Sequence, residues 1–213
     1  MASFELARFK QLPLIAILRA QRLEDIPAIV GALAQGGFYT IEVTMNSPAA
    51  VEQIRTAITS GSDQLSIGAG TVTTLEELDA AHQAGASFIV TPIVVPEIIT
   101  ECARRGIPIF PGAFTPSEIH TAHRLGATMV KLFPAHRLGP GYIRDIKAPL
   151  SSIPILATGG ITPENIAEYA QAGAEGFGIG SPLLSREHIA AQDWHWLRDR
   201  AAQFCSAWSS AHN

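Results

Sequence analysis

The sequence predicts an α/β fold: one (β/α)8 barrel over residues 1–213, preceded by a helix at the N-terminus. Three observations carry this expectation. The first is an internal repeat. AQGGFYTIEVTMNSP (34–48), HQAGASFIVTP (82–92), HRLGATMVKLFP (123–134) and AQAGAEGFGIGSP (170–182) each run from small residues through glycine into an apolar strand ending in a polar or turn residue. The leading glycines Gly36, Gly85, Gly126 and Gly173 lie 49, 41 and 47 residues apart. A strand, a helix and two short loops take about 20–25 residues, so each interval holds two such units. The second observation is that the strands are continuously apolar, as parallel strands covered on both faces are. The third is even spacing along the chain, with no linker or second composition zone. An open doubly wound sheet shares this local grammar, but the evenness favours closure into a barrel.

Taken in order, MASFELARFKQ has the pattern of an amphipathic helix and lacks the apolar core of a secretion signal. LPLIAIL supplies the first strand and ends at Arg19; YTIEV supplies the second and contains Glu42. Ser47-Pro48 predicts a helix start, with a capping hydroxyl before a first-turn proline. LSIGAG is the third strand, ending at Thr71, and Thr74 with Glu77 has capping-box spacing ahead of LEELDAAHQAG. FIVTP is the fourth, ending at Thr91-Pro92, followed by the helix PEIITECARRG. IPIFPG is the fifth, and Thr115-Pro116 with Glu118 again marks a capped helix. ATMVKLFP is the sixth and carries Lys131. IPILATGG, ending at Gly159-Gly160, is the seventh, and Thr162-Pro163 predicts the next helix start. GFGIGS, ending at Gly180-Ser181, is the eighth. Glycines at the helix ends suit the left-handed C-cap conformation. Trp194, Trp196 and Trp208 fall in a C-terminal helix, where packing or a subunit contact accounts for them.

Composition narrows the function classes. Nearly half of the 213 residues (47%) are hydrophobic, 16% are charged, and the net charge is −4. That balance fits a large buried core and offers no basic run for nucleic acid or an acidic membrane surface. No apolar stretch approaches the roughly 20 residues that span a bilayer. Cys102 and Cys205 are far apart in helix-like sequence, which predicts reduced thiols in a cytoplasmic protein. The seven histidines form no HExxH-type metal signature, and IGAGTV lacks the full dinucleotide fingerprint. His120 and His123 read as a solvated helix face, and His136 as a loop residue.

Function in such a barrel belongs at the carboxyl ends of the strands. Lys131 interrupts an apolar strand there, and alternation turns Val130 and Leu132 toward the helices and Lys131 into the mouth. A lysine at a strand end can also reach solvent or pair with a carboxylate. Ordinary lysine, with a pKa of about 10.4, is a poor nucleophile at neutral pH. Burial, with Arg19 nearby, would free its lone pair to attack a ketone and form an imine. Glu42 is a second charge inside an apolar strand, suited to general acid/base work or to pairing with Lys131 or Arg19. Gly159, Gly160, Gly180 and Ser181 could bring backbone N–H groups to a phosphate, helped by the helix expected at Thr162-Pro163. Arg19 offers a planar fork for a carboxylate or for Glu42. Thr71 can donate to the same ligand or cap a loop.

The segments LPLIAILR, GGFYTIEVTMNSP, IGAGTV, VTP, FPG, VKLFPA, TGGI and GIGS, in this order from about Leu12 to Ser181, resemble the 2-keto-3-deoxy-6-phosphogluconate/6-phosphogalactonate aldolases. The resemblance implies a class I aldolase without metal or cofactor, acting on a phosphorylated keto acid and pyruvate, usually as a homotrimer. By position it implies Lys131 as the Schiff-base nucleophile and Glu42 as general acid/base. Arg19 and Thr71 would contact the pyruvyl part, Pro92 and Phe133 would line the pocket, and Gly159, Gly160, Gly180 and Ser181 would hold the phosphate. The gluconate-type enzymes typically carry an arginine where this chain has Asn46. That asparagine and the GPGYI segment resemble the galactonate type, so the expected substrate is 2-keto-3-deoxy-6-phosphogalactonate, with Asn46 among its contacts. The rival expectations are aldolases for the gluconate epimer or for 4-hydroxy-2-oxoglutarate, and a sugar-phosphate isomerase or binding barrel without covalent chemistry.

Overall fold

The structure is a computed structural model that describes residues 4–211. The first three residues of the expected N-terminal helix, and the last two of the expected 1–213 unit, lie outside the described residues. The strands are β1 (Leu14–Leu18), β2 (Thr40–Thr44), β3 (Ser66–Gly70), β4 (Ile89–Val90), β5 (Ile109–Phe110), β6 (Gly112–Ala113), β7 (Val130–Leu132), β8 (Ile155–Thr158) and β9 (Gly176–Ile179). The helices are α1 (Leu6–Gln11), α2 (Ile26–Gln35), α3 (Ala50–Ser60), α4 (Leu75–Gln83), α5 (Pro96–Arg105), α6 (Pro116–Arg124), α7 (Gly139–Lys147), α8 (Ile166–Gln171), α9 (Arg186–Ala190) and α10 (Trp194–Ala211).

All pairings are parallel, in the order β5-β4-β3-β2-β1-β9-β8-β7-β6. The two ends of that order, β5 and β6, are separated in sequence by Pro111 alone. Proline has no N–H to give to a ladder, so it divides one stave into two short pieces. Its carbonyl still accepts the Lys131 N–H at 2.9 Å, and the Gly112 N–H reaches the Thr91 carbonyl at 3.0 Å. Eight staves therefore close into a barrel, each followed by a helix, as expected.

Strand alternation divides the apolar residues between two cores. Leu14, Ala16, Leu18, Ile41, Val43, Val130, Leu132, Ile155 and Ala157 belong to the layer between strands and helices. Ile15, Phe88, Val90, Phe110, Met129 and Leu156 fill the barrel with Phe9 of α1. Phe9 lies 5.7 Å from the Phe110 ring and Phe88 lies 5.8 Å from it, so α1 adds an aromatic layer to the interior. Gly68 makes room for this layer, since a Cβ there would stand 2.5 Å from the Phe88 ring. In α10, Trp208 packs edge-on against Phe177 and donates its indole N–H to the Gln11 carbonyl, which accounts for it as packing.

Both expected capping boxes form, at Thr74–Glu77 and Thr115–Glu118. Four local expectations are corrected. Regular helix does not begin at Pro48: α3 starts at Ala50, after Ala49 at φ +52°. The Ser47 hydroxyl is engaged by the neighbouring loop instead, accepting the Ala20 N–H at 2.9 Å. Nor does helix begin at Pro163. α8 starts at Ile166, because a turn intervenes in which the Asn165 side chain accepts the Thr162 N–H and donates to the Gly160 carbonyl. In the first repeat Gly37, at φ +97°, takes the left-handed position. Gly36 is small for another reason: its Cβ would stand 2.5 Å from that of Ala201 on α10. His123 is half-buried rather than solvated.

Candidate active site

The C-terminal ends of β1, β7, β8 and β9 surround a cavity of about 690 Å³. Of the residues singled out in the sequence, Lys131, Phe133, Arg19, Gly159, Gly160, Gly180 and Ser181 line it. Glu42, Asn46, Thr71 and Pro92 do not line this cavity.

Lys131 lies between β6 and β8, opposite Gly112 and Leu156. Its residue is 5% exposed, and its Nζ stands 5.2 Å from the centre of the Phe133 ring, within cation–π range when protonated. Burial is the main influence on the amine and lowers its pKa below the ordinary lysine value. Glu42 opposes that shift and Arg19 reinforces it.

Glu42 lies between Ile17 of β1 and Gly68 of β3, 1% exposed. Burial raises its carboxyl above the usual carboxylate range, against the pull of Lys131 and Arg19. Its Oε1 is buried without a hydrogen-bond partner. The carboxylate occupies the volume over Gly70, where a Cβ would overlap Oε1 and Cδ of Glu42. Thr71, the next residue, has φ +57°, an unusual conformation for a β-branched side chain. Strain and a buried carboxyl oxygen without a hydrogen-bond partner thus sit side by side.

Arg19 is exposed at the cavity edge. Asn46 is exposed in the loop after β2, and Thr71 and Pro92 are half-buried at the ends of β3 and β4. Gly159 and Gly160 have φ +99° and +73°, and Gly160 abuts His136, whose Cβ would stand 2.5 Å from a Cβ at that position. The phosphate expectation loses its helix start, because the turn described above separates these glycines from α8.

Five polar groups in the cavity wall were not singled out from the sequence: Gln21, Arg22, Asp25, Thr158 and Arg186. Thr158 lines the cavity, is 4% exposed, and its Oγ1 has no hydrogen-bond partner. It faces inward for the same reason as Lys131, two residues beyond Leu156 of the barrel core, so strand alternation in ILATGG was the available signal. Gly178, opposite it in β9, leaves space for the hydroxyl. Arg186, at the start of α9, also lines the cavity, and no local pattern marks it. Among the described residues, no three His, Cys, Asp or Glu side chains are grouped as metal donors.

A buried amine of lowered basicity, a buried carboxyl of raised pKa and a guanidinium acting on both form a set that can make an imine and move a proton beside it. Comparison with known proteins points the same way. The 2-dehydro-3-deoxy-6-phosphogalactonate aldolase of Escherichia coli (strain K12) is 39% identical over 202 residues, covering 94% of this chain and 97% of that protein. The 2-dehydro-3-deoxy-phosphogluconate aldolase of Treponema pallidum (strain Nichols) is 34% identical, covering 89% of each chain. A solved structure described as native KDPGal superimposes with a TM-score of 0.89 at 38% identity, covering 99% of this chain and 98% of the other. Residues 6–199 match the family described as KDPG and KHG aldolase, and the chain belongs to that aldolase family.

Proposed function

We propose that this aldolase cleaves 2-keto-3-deoxy-6-phosphogalactonate to pyruvate and glyceraldehyde 3-phosphate through an imine on Lys131. The observation that carries the reading is Lys131 itself: a lysine 5% exposed whose amine is made less basic by burial, at the wall of a cavity with glycine turns.

The Lys131 amine adds to the C2 ketone, and the carbinolamine loses water to give the protonated imine. Glu42 takes the proton of the C4 hydroxyl, directly or through a water. The C3–C4 electron pair moves into the imine as the bond breaks, and glyceraldehyde 3-phosphate leaves. Glu42 returns the proton to C3 of the enamine, and water hydrolyses the imine to release pyruvate. Arg19 holds the carboxylate, with Thr71 and Asn46 contributing polar contacts. Phe133 lines the pocket, Pro92 stands at the end of β4 beyond its wall, and Gly159, Gly160, Gly180 and Ser181 hold the phosphate. The galactonate substrate is supported by Asn46, the GPGYI segment and the 39% identical relative. The gluconate epimer is the second reading, favoured by the relative at 34%.

Incubation with pyruvate and borohydride, followed by intact-mass and peptide analysis, tests the chemistry. The expected result is one reduced adduct on Lys131 and none in Lys131→Ala, with cleavage lost. An unmodified wild-type protein, or an active Lys131→Ala, overturns it. Cleavage rates for the two C4 epimers decide the substrate.

The assembly is proposed as a homotrimer. Leu75 at the start of α4, and Ile93 and Phe114 in the loops after β4 and β6, are 39%, 58% and 40% exposed, large apolar side chains suited to a subunit contact. A cytoplasmic location is supported by the free thiols of Cys102 and Cys205, and compartment-resolved detection of the protein tests it. Among the described residues no helix is long and apolar enough to cross a membrane.

A further inference from the structure

Three buried polar side chains near the mouth take no part in the chemistry above. Thr44 is unexposed, Gln53 is 1% exposed and Ser47 is 7% exposed. None of them lines the cavity, yet all are tied to the loop that does. The Ser47 hydroxyl accepts the Ala20 N–H at 2.9 Å and meets the Thr44 hydroxyl at 2.9 Å. The Gln53 amide donates to the Gln21 carbonyl and to the Pro48 carbonyl, both at 2.8 Å. Ala20 has φ +53°, a left-handed conformation that an alanine does not hold without outside support. Arg19 precedes it directly, and Arg19, Ala20 and Gln21 all line the cavity.

We propose that Ser47, backed by Thr44 and Gln53, is a positioning residue that clamps the loop after β1 to the loop after β2 and so fixes the Arg19 guanidinium over the reacting centre. The clamp binds residues from two staves at three points: one backbone N–H and two carbonyls. The Ser47 hydroxyl and the Gln53 amide are the buried members of these bonds, and burial makes each costly to leave unpaired, so the loop has one strongly preferred arrangement. Arg19 is the cation that acts on both Lys131 and Glu42, and these are the charged groups that act on Lys131. A displaced Arg19 changes the reactivity of the amine as well as the grip on the keto acid.

The inference rests on the imine reading above, and the test separates the two. Borohydride trapping of pyruvate is followed against pH in wild type, Ser47→Ala, Gln53→Met, Arg19→Met and the Ser47→Ala/Arg19→Met double variant. In Ser47→Ala the trapping midpoint moves to higher pH, because the amine loses a nearby positive charge, and the pyruvate concentration for half-trapping rises roughly five- to tenfold. Gln53→Met moves both in the same direction. Arg19→Met does so as well, and adding Ser47→Ala to it gives no further shift, because the two changes act through one group. A purely structural role would lower thermal stability and leave the midpoint in place. Wild-type midpoints in both Ser47→Ala and Gln53→Met, or additive shifts in the double variant, overturn the clamp while leaving the imine intact. Absence of an adduct in wild type brings down both.

Discussion

Glu42 and Gly70 show how one residue type makes another usable. The Glu42 carboxyl lies where a side chain on Gly70 would be, so the glycine is a receptacle and not a hinge. Gly70→Ala is expected to leave a folded protein with its carboxyl displaced and kcat reduced by about a hundredfold or more, the scale of a lost general acid/base. Thermal melts with steady-state kinetics check this, and a parental kcat would refute it. The same neighbourhood sets the pH dependence. Burial lowers the Lys131 pKa, so imine trapping rises with pH through that lowered value and levels off below the range of an ordinary lysine. Negative charge on Glu42 holds the proton on, so Glu42→Gln moves the rise to lower pH. Trapping endpoints across a pH series give the direction, and a shift to higher pH would contradict the coupling. Lys131 and Glu42 were legible in the sequence because a charge in an apolar run is an anomaly visible without coordinates. Thr158 was not legible there, because a threonine in a strand is unremarkable until its hydroxyl is seen to lack a partner.

Elements were legible where their signals are local. The capping box of α6 closes within four residues: the Thr115 hydroxyl accepts the Glu118 N–H, and Glu118 accepts the Thr115 N–H at 2.8 Å. Thr115→Ala is expected to cost about 1 kcal/mol. A melting point lower by about 2–4 °C follows for a chain of this size. Calorimetry reads that loss, and an unchanged melting point would show the cap to be redundant. Ser47-Pro48 and Thr162-Pro163 carry the same kind of signal without the same result. The Ser47 hydroxyl accepts the Ala20 N–H from the loop of the neighbouring stave, and the Gly160 carbonyl draws Asn165 into a turn. At Ser47 the partner that outcompetes the helix start is 27 residues away, which no window of a few residues contains, whereas at Thr162 the competing groups, Gly160 and Asn165, lie within six residues and compete as a local turn.

For the molecule as a whole, closure depends on a stave broken by Pro111, whose carbonyl keeps the ladder continuous to Lys131. Lys131 is therefore anchored beside the break through its own backbone. The proposed trimer is a prediction at this scale. Light scattering after size exclusion should give three chain masses, and Ile93→Asp with Phe114→Asp should reduce the particle to monomer. A monomer in the parent protein refutes the assembly.

The sequence by itself determined the number of staves, the inward turn of Lys131 and Glu42, and the glycine turns at the mouth. These follow from chain periodicity and from the cost of charge in an apolar strand, both of which are written in short stretches of residues. Only the tertiary structure decided which side chains share the cavity, that Gly70 cradles a carboxyl, and that Ser47 serves a loop 27 residues away. Those outcomes depend on close approaches between residues distant in the chain, and excluded volume and hydrogen-bond geometry act only once the barrel has closed.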